Sequence, residues 1–365
     1  MCDACDIDNS SSSSGTKTVP VSEAVGMILP HDITEIRPGE FKGRAFKKGH
    51  IVREEDVDHL KRLGKEHLFI LEIKEDELHE NDAAIAIASA LAGEGVKLAG
   101  EPNEGKINLV AERAGLLNIN RKALLDFNML GEVMCATIHN NSVVKKGQLL
   151  AGTRAIPLVV KKSIIDEAVK IAESAHGVLR VKEIRKPKAG IVITGNEVYH
   201  GRIKDAFESV IREKITGLDG EIIGARFAPD DVQIIEDRIR ELINAGADLI
   251  ITSGGMSVDP DDVTRFAIRN LGVQEMHYGS PVLPGSMFLV AYVSRGVLQY
   301  APTGVIPILG IPACGMYADI TVFDLVLPRI LAGEKIGRKE LAELGHGGLC
   351  MKCETCRYPV CPFGK

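Results

Sequence analysis

The spacing of apolar positions changes repeatedly in the C-terminal half of the chain. A continuously apolar run at residues 190–193 predicts a buried strand, and apolar positions three and four residues apart predict a helix at 205–218. The same alternation predicts further strands at 221–227, 248–252, 287–293 and 305–309, and further helices at 231–245 and about 314–325, ending near Pro328. Strands that alternate with helices through short links are typical of an α/β fold with a doubly wound, mostly parallel sheet.

The N-terminal half has shorter and more varied runs, which predict a smaller mixed α+β region. Residues 1–18 include five consecutive serines and are expected to form a disordered tail. Ser22 is expected to cap a short helix that carries Leu29, and the pattern further predicts helices at 54–63, 82–91 and 163–175, a strand at 67–73 and short runs near 106–110 and 133–138. We therefore expect a linker-like region at 19–73, a small mixed α/β domain at 74–181, the regular α/β domain at 182–335 and a Cys-rich tail at 336–365.

Composition and charge exclude several classes of function. Lys and Arg number 44 and Asp and Glu number 50, so the formal net charge is −6. Because binding to a nucleic-acid backbone needs clustered Lys and Arg, and the chain has no Trp for base stacking, we expect no nucleic-acid partner. No apolar run reaches the roughly 18 residues of a membrane span, and the acidic N-terminus lacks a signal-peptide core, so we expect no membrane contact and a cytoplasmic location.

Polar and glycine-rich motifs follow three of the predicted strands in the C-terminal domain. In open parallel sheets, ligands bind beyond the carboxyl ends of the strands. The three motifs are Thr194-Gly195-Asn196-Glu197, Ser253-Gly254-Gly255-Met256-Ser257 and Gly310-Ile311-Pro312. Paired glycines allow a sharp turn and a close approach of the backbone to a ligand, and the two serines beside them offer hydroxyls.

Acidic residues lie beside these motifs. Asp259, Asp261 and Asp262 surround a predicted helix start, where helix N–H groups favour an anion. One interpretation is a well-capped turn with no ligand, which explains one acid better than three. The pattern favours the other, in which a Mg²⁺ ion bridges the carboxylates to a phosphate. Asp230 opens the preceding helix, where capping is an equally good explanation, and Glu197 can reach a ligand or cap the segment that follows it.

The order and spacing of these motifs resemble a known family. Residues 188–332 resemble the molybdopterin-binding domain shared by molybdopterin adenylyltransferases and molybdopterin molybdotransferases of the MoeA or gephyrin E-domain type. The resemblance rests on Thr194 to Glu197, Pro229-Asp230-Asp231, Ser253 to Ser257 with Asp262, and Gly310 to Pro312. Residues 22–73 also resemble the N-terminal linker segment of the molybdotransferases.

This resemblance implies that molybdopterin, or its adenylylated form, binds at the strand ends. It implies that Asp230, Asp262 and Glu197 line the place where Mg²⁺ or molybdate is handled. The residues that it implies in cofactor binding are Thr194, Gly195, Asn196, Ser253, Gly254, Gly255, Ser257, Asp259, Gly310 and Pro312. The chain departs from the molybdotransferase pattern in having Asn196 for Asp, Asp259 for Gly, and Leu-Gly-Ile-Pro at 309–312 for Pro-Gly-Asn-Pro, and we expect no room after residue 333 for that family's C-terminal β domain.

Two functions remain open at this point. The first is an enzyme of molybdenum-cofactor biosynthesis, a Mg²⁺-dependent transferase that exchanges the nucleotide of adenylylated molybdopterin for molybdate. The second is a non-catalytic carrier that delivers molybdopterin to a partner molybdoenzyme, and a nucleotide pyrophosphatase of the CinA type is a weaker third. The resemblance also implies self-association, and the short N-terminal elements look too small to bury a core alone, so we expect a homo-oligomer, most simply a dimer.

Eight cysteines in a cytoplasmic protein favour metal ligands or reduced thiols over disulfides. Cys2 and Cys5 lie in the polar N-terminal tail, where mobile thiols are the favoured interpretation and a contribution to a metal site elsewhere is the alternative. Four more, Cys350, Cys353, Cys356 and Cys361, have C-x2-C-x2-C-x4-C spacing and precede a proline. This spacing is close to the bacterial ferredoxin run, so it favours an iron–sulfur cluster, [4Fe–4S], over zinc, with unligated thiols as a third interpretation. Glycines at 345–348 predict that this tail is a hinged appendage.

Overall fold

A computed structural model describes residues 16–37, 41–71, 73–256, 259, 262–294 and 304–365. The chain forms two compact units: the first comprises residues up to 182 except 139–143, and the second comprises residues 139–143 and 183–365. Cys2, Cys5, Ser257 and Asp261 lie outside the described residues. In the described part of the chain, no helix is long and apolar enough to cross a membrane.

The first unit combines small antiparallel sheets with four helices among the residues described. Its strands are β1 (Thr16–Pro20), β2 (Ile33–Arg37), β3 (Phe41–Phe46), β4 (His67–Leu71), β5 (Glu77–His79), β6 (Val96–Asn103), β7 (Lys106–Ala111), β8 (Gly115–Ile119), β9 (Val133–Thr137), β10 (Val143–Val144), β11 (Leu149–Ala155), β12 (Val159–Lys161) and β13 (Leu179–Lys182). Its helices are α1 (Asp56–Arg62), α2 (Glu80–Leu91), α3 (Arg121–Asn128) and α4 (Lys162–Ser174). Strands β6, β7, β11 and β9 form one sheet, whose apolar face packs with α2 and α4 in a shared core.

The prediction of a helix after Ser22 is wrong. Residues Val21–Glu23 form a single 3-10 turn, a second turn follows at residues 25–26, and Ile28 then forms an isolated β-bridge with Ile51. Gly26 has a φ of +83°, in the left-handed region that ends helices. Leu29 is nevertheless buried, in a second small core of this unit.

The second unit is built on one six-stranded sheet. Its strands are β14 (Lys188–Thr194), β15 (Glu221–Ala228), β16 (Leu249–Ser253), β17 (Glu275–Tyr278), β18 (Leu289–Ser294) and β19 (Val305–Ile311), in the order β15-β14-β16-β19-β18-β17. Its helices are α5 (Asn196–Tyr199), α6 (Phe207–Thr216), α7 (Val232–Asn244), α8 (Thr264–Asn270), α9 (Val322–Leu331) and α10 (Arg338–Glu343). The first four strands in this order are parallel, and β18 and β17 continue the sheet antiparallel.

Alternate residues of each strand face opposite layers of helices. Ile191 and Ile193 of β14 pack with α6 and α9, whereas Val192, between them, packs with α7 and α8. Both faces of the sheet are therefore covered, and the predicted α/β class with a doubly wound, mostly parallel sheet is confirmed.

The last long helix begins later than the sequence predicts. A 3-10 turn at Ala313–Met316 follows β19, and α9 starts at Val322. Thr321 and Asp324 form a capping box there: the Phe323 N–H donates to Thr321 Oγ1 at 3.2 Å and the Thr321 N–H donates to Asp324 Oδ2 at 2.7 Å. The helix also continues through Pro328, because Ile330 and Leu331 beyond it are buried in the core.

The Cys-rich tail is docked against the second unit rather than hinged. Phe363 is 3% exposed and lies in the same core as Leu325 and Val326 of α9. The Gly364 N–H donates to the Gly347 carbonyl at 2.9 Å, so the end of the tail returns to the glycines that were expected to act as a hinge. The burial of this one large side chain explains why the short segment is held in place.

Candidate functional site

Four parallel strands end at a common edge of the sheet. Thr194 of β14 is paired with Ala228 of β15, and Ser253 of β16 is paired with both Ile193 and Ile311. Parallel strands in this register place their carboxyl ends side by side. The three motifs of the sequence and Pro229-Asp230-Asp231 therefore leave the sheet at the same edge.

A buried hydroxyl network joins the ends of β14 and β16. Thr194 Oγ1 donates to the Ser253 carbonyl at 3.1 Å and lies 3.0 Å from Thr264 Oγ1, at the start of α8. Ser253 is fully buried, and its own Oγ has no hydrogen-bond partner among the described residues; the same is true of Thr252 Oγ1. A buried hydroxyl without a hydrogen-bond partner costs free energy of folding. These two hydroxyls therefore remain available to hydrogen-bond a ligand or a water molecule at this edge.

The paired glycines after β16 are needed for close packing of the turn. Gly254 has a φ of +84°, and a Cβ there would lie 2.1 Å from the Thr194 carbonyl oxygen. Gly255 has a φ of +57°, and its Cβ would lie 2.3 Å from Thr264 Oγ1. Both glycines are thus required by close packing within the protein itself, whether or not a ligand approaches them.

Asn196 and Asp230 connect the ends of β14 and β15. The Asn196 N–H donates to Asp230 Oδ2 at 3.0 Å, and the Asp230 N–H donates to Asn196 Oδ1 at 3.3 Å. Asp231, by contrast, caps α7 by accepting the Ile234 N–H at 2.9 Å. The two neighbouring acids therefore have different roles, and only Asp230 faces the other strand end.

The other acidic residues predicted for the site, Glu197, Asp259 and Asp262, lie at separate positions along this edge of the sheet. Glu197 is exposed on the short helix α5, close to Gly195, whose φ is +138°. Asp262 accepts the Asp259 N–H at 3.0 Å within the turn before α8. In the described part of the chain, no three His, Cys, Asp or Glu side chains converge closely enough to hold a metal ion.

The third motif is buried beneath the glycine turn. Gly310 and Pro312 are both buried, and a Cβ on Gly310 would lie 2.5 Å from Met256 Cε. Met256 is in turn held by Tyr278, whose hydroxyl donates to the Met256 carbonyl. The Arg265 guanidinium lies 4.5 Å from the centre of the Tyr278 ring, and its Nε is buried without a hydrogen-bond partner among the described residues.

Sequence reasoning missed Thr264, Arg265 and Tyr278 at this edge. Thr264 and Arg265 come directly after the acidic run, and a hydroxyl and a guanidinium at a predicted helix start could have been noted. Tyr278 lies at the end of β17, and no motif around it in the sequence indicates a binding site.

A separate cavity of about 470 Å³ lies where the tail docks. Its lining includes all four tail cysteines and also Cys314, from the 3-10 turn after β19. Burial raises the pKa of the Cys314 thiol, and backbone N–H groups of Cys314 and Gly285 partly offset that rise. Sequence reasoning did not associate Cys314 with the tail, because the two segments are far apart in the chain.

Comparison with known families identifies the segment that carries the edge. Residues 190–332 match a family described as a probable molybdopterin binding domain. This match confirms the resemblance of the second unit to that general family. Residues 18–72 match a domain of unknown function (DUF8806).

Curated relatives and solved structures are similar over part of the chain. A CinA-like protein of Mycobacterium avium (strain 104) is 40% identical over 89 residues, 23% of this chain and 20% of that protein. A CinA-like protein of Mycobacterium tuberculosis (strain ATCC 25177 / H37Ra) is 39% identical over 77 residues, 21% of this chain and 18% of that protein. The chain thus spans about a fifth of the length of these relatives.

Among solved structures, the molybdopterin biosynthesis enzyme MoaB from Thermus thermophilus is 23% identical, with a TM-score of 0.33 over 40% of this chain and 98% of that chain. The CinA protein from Thermoplasma acidophilum is 15% identical, with a TM-score of 0.31 over 36% of this chain and 90% of that chain.

Proposed function

We propose that the second unit binds molybdopterin, free or adenylylated, and acts in molybdenum-cofactor biosynthesis. The observation that carries this proposal is the match of residues 190–332 to a probable molybdopterin binding domain. That segment contains all four strand ends at which the candidate pterin residues lie. Ligand binding at this edge is also what the topology of an open parallel sheet favours.

In this proposal the pterin phosphate lies over the glycine turn and the Asn196–Asp230 pair. Carboxylate oxygens of Asp230, Asp262 and Glu197 are the hard ligands that suit Mg²⁺, which takes one or two carboxylates together with phosphate oxygens. The ion would offset the repulsion between these acids and an anionic ligand. The chain's own groups bind and orient the phosphate, and Mg²⁺ supplies the positive charge.

We favour a transferase of the molybdotransferase type, in which molybdate is the second substrate. The exposed acids beside a phosphate site support this choice, because a site for storage alone gains nothing from carboxylates that repel its ligand. The alternative is a carrier that delivers the cofactor to a partner molybdoenzyme. The cytoplasm is the proposed location for either role.

An assay of AMP release tests the transferase against the carrier. The full-length protein is incubated anaerobically with adenylylated molybdopterin and Mg²⁺, with and without molybdate, and free AMP is measured by chromatography. The transferase predicts release that depends on molybdate. Binding without release supports the carrier, and failure to bind either molybdopterin species contradicts both roles.

We also propose a metal centre in the tail, an iron–sulfur cluster rather than zinc, with ligands drawn from the thiols of Cys350, Cys353, Cys356 and Cys361. Their spacing supports this proposal, as does their position on one cavity.

Self-association is a further part of the proposal, and a dimer is the simplest form. Light scattering at micromolar concentration should give twice the 39.4 kDa chain mass, and a monomeric mass would contradict it.

A further inference from the structure

The loop that carries the tail thiols is fixed at both ends. At its start, the Cys350 N–H donates to the Leu283 carbonyl at 2.8 Å, and the Leu283 N–H donates to the Gly348 carbonyl at 2.7 Å. At its end, Phe363 is buried and Gly364 is bonded to Gly347. The residues between these points form a closed loop against the second unit.

The interior of this loop has little structure of its own. Between residues 351 and 361 the described structure has one backbone–backbone hydrogen bond, from the Val360 N–H to the Arg357 carbonyl at 2.7 Å. Cys353 and Cys356 are exposed, so apolar burial does not order them either. Bonds from several thiolates to one metal centre would supply the missing order, because the free energy of metal binding then contributes to folding.

The spacing of the thiols along the chain favours a cluster over a single zinc ion. Three cysteines at successive x2 spacing are typical of the bacterial ferredoxin run, whereas a four-cysteine zinc site more often pairs two separated C-x2-C units. A cluster binds one thiolate at each of several iron atoms, and the thiols here line one cavity of about 470 Å³.

The ligand pattern of ferredoxins suggests that Cys314 supplies the fourth ligand. In two-cluster ferredoxins, the first three cysteines of the run bind one cluster and the fourth binds the other, so a distant cysteine completes the first cluster. Here Cys314 is the distant thiol on the same cavity. It is held in a 3-10 turn, where the Tyr317 and Ala318 N–H groups both donate to the Cys314 carbonyl, at 3.1 and 3.0 Å.

We propose that a [4Fe–4S] cluster occupies this cavity, with Cys350, Cys353, Cys356 and Cys314 as its ligands. Each thiol loses its proton to solvent and bonds one iron; assembly from ferric iron and sulfide also takes up two electrons per cluster, which a thiol reductant supplies. Cys361 corresponds to the fourth cysteine of the ferredoxin run, which does not bind the first cluster, and it is not a ligand in this arrangement. The inference rests on the tail metal centre of the proposed function and adds that Cys314 joins the tail to the end of β19.

The test uses full-length protein, purified anaerobically and reconstituted with iron and sulfide. We expect about four irons and four sulfides per chain, with visible absorption that bleaches on reduction. Cys353→Ser and Cys314→Ser should each lower cluster affinity at least about tenfold, as loss of a metal contact does. Cys135→Ser, at a buried thiol of the first unit, is the matched control and should retain the cluster.

Several outcomes overturn the inference in distinguishable ways. A cluster that survives Cys314→Ser but not Cys361→Ser would refute Cys314 as a ligand and leave the tail metal centre intact. Stoichiometric zinc without iron or sulfide would refute the cluster. A metal-free protein whose five cavity thiols all react with a thiol reagent would refute both proposals. Circular dichroism of each variant identifies loss of metal that is due to unfolding, and Cys314→Ala then repeats the test without a hydroxyl.

Discussion

Asn196 and Asp230 exchange two hydrogen bonds across neighbouring strand ends, at 3.0 and 3.3 Å. Each residue uses its backbone N–H as the donor and its side-chain oxygen as the acceptor. The molybdotransferase pattern has Asp in place of Asn196. An Asp could accept the same bond, but it would add a second negative charge beside the Asp230 carboxylate, so the amide keeps this end of the edge less acidic.

The first prediction separates the neighbouring acids Asp230 and Asp231. Asp231→Ala should lower the free energy of unfolding by about 1 kcal/mol, the usual cost of losing a helix cap, and should leave ligand binding intact. Asp230→Ala should weaken Mg²⁺-dependent binding of a molybdopterin species at least about tenfold, because it removes a carboxylate directed at the proposed site. Urea unfolding and equilibrium binding of both variants provide the measurements. If both variants bind normally, the assignment of Asp230 to the site is wrong.

A second prediction concerns the glycine turn. Gly254→Ala would place a Cβ 2.1 Å from the Thr194 carbonyl oxygen, so either β14 or the turn must move. Gly246→Ala is the matched control, since Gly246 also has a positive φ, +103°, but a Cβ there would have no atom within 4 Å. The control should lose about 1 kcal/mol of stability and the test variant about 2 kcal/mol more, measured by urea unfolding. Equal losses would show that the close approach to Thr194 is not a constraint.

The third prediction gives the first unit a pH dependence. Burial tends to raise the pKa of Asp32, but hydrogen bonds from the Lys48 N–H at 2.7 Å and from Arg44 at 3.0 Å outweigh it and lower the pKa. A carboxyl whose pKa is lower in the folded state stabilises that state above its unfolded pKa of about 3.9, and the contribution disappears as the pH falls through the folded pKa.

Asp32→Asn should therefore cost about 1 kcal/mol at pH 7 and progressively less below about pH 4. Thermal unfolding of both proteins between pH 3 and pH 7 measures this difference. A difference for Asp32→Asn that stays constant across the whole range would rule out the charge as its cause.

Strands β14, β15 and β16 lie within two residues of the bounds predicted from the sequence. β14 and β16 were predictable because burial on both faces makes them apolar runs, whereas the edge strand β15 contains Arg226 and is only partly buried. The start of α9 could not be predicted from apolar spacing alone. There the capping box of Thr321 and Asp324 sets the boundary, and the apolar residues before it belong to the turn after β19.

The candidate site could be predicted only as far as its local motifs. Gly254 and Gly255 stood out as a pair, but their contacts are with Thr194 and Thr264, and the Thr194–Thr264 bond joins residues 70 positions apart. The meeting of Cys314 with the tail is of the same kind. Contacts of this sort depend on how the strands are ordered and where the chain returns, and no pattern along the sequence carries that information.

The docked tail has a thermodynamic consequence. Because Phe363 is part of the core, the thiol loop is closed in the folded unit and open in the unfolded chain. Any ligand that needs the closed loop binds the folded state preferentially, and it must raise the stability of that state by RT ln(1 + [L]/Kd). The melting temperature of the second unit should therefore rise with the concentration of any ligand that binds this cavity. The measurement detects colourless ions such as zinc as readily as coloured clusters.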